Sequence, residues 1–225
     1  MRENRLNKRY EGIENPNEYY KNQSKSDKPK YIPAVCLALA VINIAIFCYL
    51  EASGSTEDAG FMLQKGAIYP DNILQEGEYW RLFTAMFLHF GFLHLVNNMF
   101  TLVAIGSSVE QALGHVKTGI LYIGAGLIGS ATSTVCMVRF GDIAVAAGAS
   151  GAIFGLIGAM LWICIRNRGR YGTISTRGMI IMIAISLYYG VVTVGVDNYG
   201  HIGGFVGGFL LAILLYRKKD VTVDF

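Results

Sequence analysis

Charge is scarce in this chain. Asp, Glu, Lys and Arg make up 16% of its 225 residues, where a water-soluble domain averages about a quarter. Cysteine is scarce too. Cys36, Cys48, Cys136 and Cys164 all fall inside apolar runs, with neither a disulfide framework nor a zinc spacing, so they read as small buried hydrophobes. No grouping calls for a metal or cofactor. There is no basic patch interleaved with aromatic platforms, which argues against nucleic acid as a partner. No internal repeat is strong enough to suggest an inverted-repeat transporter.

What fills the chain is hydrophobic sequence, at 53%, and glycine, at 27 residues. Glycine without proline or serine enrichment is what closely packed membrane helices show. Apolar runs long enough for ~30 Å of hydrocarbon recur six times, at about 31–52, 90–110, 117–138, 143–165, 178–196 and 200–216. The expected fold is an all-α polytopic membrane protein with six transmembrane helices in one compact bundle. Residues 1–30 hold eight Lys/Arg, five Asp/Glu and five Asn with little to bury, and read as a disordered cytosolic tail. The helical core then covers 31–219, its first run reading as an uncleaved signal anchor, and 220–225 form a cytosolic end. With both termini inside, sixteen Lys/Arg fall on the inner side and three, Lys65, Arg81 and Arg139, on the outer. That asymmetry predicts N-in and C-in, which suits a bacterial plasma membrane. The outer loop at about 53–89 is the one long connection, and Trp80-Arg81 would anchor its edge at the lipid interface.

Polar side chains within spans are costly unless paired or hydrated, so they carry information. Three stand out: His94 in HLVNNMF, Ser150 in GASGA and His201 in NYGHIGGF. Each precedes the first charge beyond its span, Glu110, Arg166 and Arg217 respectively, by sixteen residues. At ~1.5 Å per residue each lies about 24 Å above the inner face, just under the outer surface. Ala147, Gly151, Gly155 and Ala159 form a small-residue stripe on the fourth span, and Gly204, Gly208 and Ala212 another on the sixth. Such stripes let backbones approach closely enough for a serine to meet a histidine. His94 and Asn98 share a face on the second span and could donate to an oxyanion.

Taken singly, each residue has a plainer reading. Ser150 could fill a packing gap, His201 could start a helix at the interface, and His94 with Asn98 could bind helices together. Phe154 could be core or could wall the histidine ring, Glu110 could cap or pair at the inner end, and His89 and His115 read as interface or loop residues. A hydroxyl, an imidazole and amide donors at one level favour a Ser-His dyad. Asp197 is the nearest acid to His201, four residues before it, outside the span. GASGA is not the G-x-S-x-G elbow, since position 152 is Ala. A transporter or channel should place polar groups along a path inward, and LIGAMLWIC and FLLAILLY offer almost none.

These pieces, in order, resemble the rhomboid intramembrane serine proteases. The match runs through Trp80-Arg81, His89, His94-Leu-Val-Asn-Asn98, Glu110, Gly148-Ala-Ser150-Gly151 and Gly200-His201-Ile-Gly-Gly204 with Gly208. The resemblance implies a six-helix rhomboid-like core with Ser150 as nucleophile and His201 as general base. It also implies an oxyanion site from His94, Asn98 and the Ser150 backbone, with Gly148, Gly151, Phe154, Trp80, Arg81, Gly204 and Gly208 in support. It needs no acidic third member and no cofactor. The implied substrates are single-span membrane proteins, cut near the outer face of the bilayer. Many relatives carry tyrosine at the Phe154 position, so a ring-stacking role remains and a hydroxyl role does not.

Overall fold

The computed structural model describes residues 31–193 and 195–218. The chain divides into Met1–Ile32 and Pro33–Phe225, and every element below lies in the second unit. The expected tail at 1–30 and end at 220–225 lie outside the described residues.

Among the described residues, ten α-helices follow one another. They are α1 (Ala34–Ser53), α2 (Ala59–Gln64), α3 (Pro70–Leu74), α4 (Arg81–Thr84), α5 (Gly91–Thr101), α6 (Ser107–Leu113), α7 (His115–Phe140), α8 (Ser150–Arg166), α9 (Thr176–Val192) and α10 (Asn198–Leu215). A 3₁₀ turn at Ala85–Phe87 follows α4, and a π-helical turn at Leu102–Gly106 joins α5 to α6. Four helical stretches are long and apolar enough to cross a membrane: Ala34–Ser53, Gly91–Leu113, His115–Phe140 and Asn198–Leu215. The remaining two apolar helices, α8 and α9, have 17 residues each. Exposed Leu, Ile, Val and Phe such as Phe100, Val116, Val191 and Leu214 cover the outward faces. An area of that kind belongs against lipid.

Packing is densest among α7, α8 and α10. The small residues on α8 and α10 let the two backbones touch. A Cβ on Gly204 would run into the Gly151 carbonyl oxygen, and one on Gly208 into that of Gly155. α9 is held least, burying only Met179 and Gly190.

Glu110 closes the opposite end. Fully buried, its carboxylate accepts from the N–H groups of Val35 (2.9 Å) and Cys36 (2.8 Å) and pairs with His115. It thereby caps the first turn of α1, a helix with no acid of its own there. His115, read from the sequence as an interface or loop residue, is thus bound to a span end.

Two expectations need correcting. The fourth span does not begin at 143; α8 starts at Ser150, and Ala147 of the proposed stripe precedes it. The reason is backbone pairing. Ile68 and Ala146 exchange both N–H···O bonds (2.8 and 3.0 Å), and Gly148 N–H donates to Ala85 O (2.9 Å). Gly148 then adopts φ +148°, a region open to glycine. The helical content is also interrupted by a small antiparallel hairpin, β1 (Arg170–Tyr171) and β2 (Ile174–Ser175). The 53–89 loop is held by its own hydrogen bonds. Arg81 Nη1 donates to Leu63 O (2.6 Å) and Ala67 O (3.0 Å), its Nε pairs with Glu78 (2.6 Å), and Thr84 Oγ1 donates to Gly66 O (2.8 Å).

Candidate active site

Ser150 is the first residue of α8, so its N–H and those just after it have no partner one turn back in the helix. The helix dipole adds positive character at the same point. The turn that delivers it is crowded. A Cβ on Gly148 would sit 2.9 Å from His94 Cε1, 3.1 Å from His94 Nε2 and 3.5 Å from Ser150 Oγ. The histidine ring and the serine hydroxyl therefore border the same small space, and glycine keeps it open.

His94 comes from the first turns of α5. Asn98, one turn on, is buried and donates from Nδ2 to the His94 carbonyl (2.9 Å). Its amide has a second hydrogen to give. His89 lies behind His94, 1% exposed, with the ring centroids 5.2 Å apart in an edge-on arrangement. Its Nε2 accepts from Ala149 N–H at 3.4 Å. His89 thus touches both the histidine and the serine turn, a position that its reading as an interface residue did not reach.

His201 sits in the first turn of α10, its ring stacked on Phe154 at 4.2 Å and 10°. Phe154 is four residues beyond Ser150 on α8, so the stack stands on the serine's own helix face. The hydrogen bonds among the described residues do not include one between Ser150 Oγ and this ring, and His201 Nδ1 is buried without a partner. Asp197 does not serve it. The carboxylate caps α10 by accepting from Gly200 N–H (2.9 Å), and burial pushes its pKa up. Tyr199 ties the start of α10 to the end of α7 through a bond to Asp142 (2.8 Å) and a stack on Phe140.

The supporting residues fall in two places. Gly151, Gly204 and Gly208 set the approach of α8 and α10, and Gly148 leaves room for His94 beside the serine. Trp80 and Arg81 lie in the outer loop, the half-exposed indole under the guanidinium at 4.7 Å. They hold the loop and make no contact with Ser150. Among the described residues, no cluster of His, Cys, Asp or Glu could hold a metal ion. A hydroxyl, ring nitrogens and amide donors, the kinds of group that acyl transfer needs, thus lie on α5 and at the starts of α8 and α10.

The profile of the Rhomboid domain matches residues 76–218. The chain belongs to the rhomboid family. It is 35% identical over 187 residues to the Rhomboid protease GluP of Bacillus subtilis (strain 168), covering 83% of this chain and 36% of that protein. Against RHOMBOID-like protein 5 of Arabidopsis thaliana it is 42% identical over 160 residues, 70% of this chain and 51% of that one. The Putative rhomboid protease YdcA of Bacillus subtilis (strain 168) matches at 33% over 144 residues, 64% of this chain and 71% of that one. The chain spans a third to a half of the length of the first two relatives.

Proposed function

We propose that the chain is an intramembrane serine endopeptidase that cuts single-span membrane proteins near the outer face of the bilayer. Ser150 is the nucleophile and His201 the general base of a dyad. His94, Asn98 and the Ser150 N–H hold the oxyanion. The observation that carries this reading is that His94 and Ser150 Oγ border one space at Gly148, with His201 of α10 stacked on Phe154, which lies one turn beyond the serine on α8. Six spans with both termini inside, in a bacterial plasma membrane, follow from the charge asymmetry.

In the reaction Ser150 Oγ passes its proton to His201 as it attacks the scissile carbonyl. The tetrahedral oxyanion settles among the three donors. His201 then protonates the leaving amine, and water hydrolyses the acyl-enzyme with the same base. A helical substrate hides its carbonyls in hydrogen bonds, so it must unwind locally before attack. The loosely held α9 is the element that can yield to admit it.

The test pairs labelling with cleavage. A serine-reactive fluorophosphonate should label the wild type and neither Ser150→Ala nor His201→Ala. A single-span substrate should be cut by the wild type alone. Robust cleavage by Ser150→Ala rejects the nucleophile.

A further inference from the structure

The end of α8 far from Ser150 carries a concentration of charge that the proposed reaction does not use. Arg166, Arg168, Arg170 and Arg177 stand exposed on or beside the β1–β2 hairpin, and Arg217 and Lys218 follow α10. Asn167 joins the two groups, because its Nδ2 donates to the Tyr216 hydroxyl (2.7 Å). The hairpin is a built element. Thr176 N–H donates to Gly169 O (2.9 Å), Arg170 pairs with Ser175, and Tyr171 and Ile174 pack against the core. Alternation along β1 turns Tyr171 inward and leaves Arg170 outside. Arg168 holds φ +60°, which glycine or asparagine adopts more readily. Turn geometry alone does not call for a long cation there.

No carboxylate answers these charges. Among the described residues after Leu113 the acids are Asp142 and Asp197, and both lie at the Ser150 end. Glu110, at the hairpin end, is buried and already bound to Val35, Cys36 and His115. Arg166 lies over the Trp162 ring at 5.8 Å, and Arg168, Arg170 and Arg177 make no ion pair among the described residues. Their depth follows from their neighbours. Ile165 precedes Arg166, Ile180 and Ile181 follow Arg177 within a turn, and Leu214 precedes Arg217 within a turn, all four exposed on the lipid-facing surface. Cations at the edge of an apolar belt sit among headgroups. Residues 1–30, with eight Lys/Arg against five Asp/Glu, have the wrong sign to neutralise them.

We propose that this face is a docking surface for anionic phospholipid headgroups, formed by Arg168 and Arg170 at the hairpin with Arg166, Arg177 and Arg217 beside them. Charge complementarity supplies the attraction, and the docked hairpin holds the cations together before any lipid arrives. A second copy of the chain would present the same sign and be repelled. Headgroups fit better than a free anion, since they carry phosphate at the depth where the cations already lie.

The experiment reads lipid at Trp162, the ring beneath Arg166. Trp80→Phe leaves it as the single tryptophan of the full chain, and brominated acyl chains quench it when their headgroup is held nearby. The protein is placed in nanodiscs of phosphatidylcholine mixed with phosphatidylglycerol, with one lipid or the other brominated. Phosphatidylglycerol should be preferred at this site by about fivefold, the scale of one arginine near a charged surface, and high salt should shrink the preference. Replacing Arg166, Arg168, Arg170 and Arg177 together by Gln should abolish it, and replacing the same four by Lys should keep most of it. Arg139→Gln, at the Ser150 end, should leave it unchanged. Equal quenching by the two lipids in the parent protein overturns the proposal, as does an undiminished preference in the glutamine variant. Loss in the lysine variant as well would trace the effect to the fold and overturn it too. Should the four-glutamine variant fail to insert, Arg168→Gln with Arg170→Gln decides, and must lower the preference by about twofold.

Discussion

Replacing Gly204 with alanine is the sharpest probe of how the site is assembled. The added methyl would lie 2.7 Å from the Gly151 carbonyl carbon and 3.1 Å from its Cα, with the carbonyl oxygen nearer still. Carbon atoms rest at ~3.5–4.0 Å, so α8 and α10 must separate by about 1 Å. Every atom in the way is backbone, and no side chain can swing aside. Overpacking of this kind costs roughly 1–3 kcal/mol of stability. Function should suffer more, because Ser150 rides on α8 and His201 on α10. A misplacement of ~1 Å between reacting groups costs on the order of 10² in rate. Gly119→Ala on α7 is the matched control, since its methyl would meet Val35 Cγ1 at an easy 3.9 Å. Alanine in a helix interior gains about 0.5–1 kcal/mol over glycine, so this variant should melt slightly higher and cut normally. The assays are thermal unfolding in detergent and cleavage of a single-span substrate, side by side. Wild-type cleavage by Gly204→Ala would refute the idea that backbone contact sets the dyad.

Phe154→Leu removes the ring on which His201 rests and should lower kcat with KM little changed, whereas Phe154→Tyr, which keeps the stack, should retain activity; steady-state cleavage of one substrate separates the two. Asn98→Ala deletes a proposed oxyanion donor and should cut kcat by ~10²–10³, the effect of such a loss in other hydrolases, while fluorophosphonate still labels Ser150. Arg81→Met strips Leu63 O and Ala67 O of their donor and should cost about 1–3 kcal/mol, seen as faster proteolytic nicking within residues 53–89. Glu110→Ala uncaps α1, and a melt lowered by roughly 1–2 kcal/mol of stability should appear without a selective loss of turnover.

Apolar length did not reveal the short helices α2, α3 and α4 within residues 53–89. It was enough to find the long apolar helices, because in lipid the run that must be buried and the element that buries it coincide. Their ends were harder to read. The run from 143 onward is as apolar as the helix that follows it, yet its backbone pairs with Ile68 and Ala85, partners some sixty to eighty residues away that no periodicity reveals. Arg81 illustrates the same limit. As an interface anchor it was readable from its neighbour Trp80, but its hold on Leu63 and Ala67 depends on a loop path that composition does not encode.

The site was legible for a physical reason that does not depend on where α8 begins. Counting sixteen residues from Ser150 to Arg166 uses only the stretch that is helical. The error in the lead-in lies on the other side of the serine. With the helix starting at Ser150, the N–H of the proposed nucleophile has no carbonyl one turn back in the helix to tie it. A serine one turn deeper would have that N–H tied to a carbonyl and its hydroxyl walled by helix. Gly148 makes the difference, and nothing in its identity announced φ +148°. His89 and Asp197 were named from the sequence, but their contacts were not readable from it: each meets backbone in the irregular segments at 146–149 and 197–200, whose course the sequence leaves unstated.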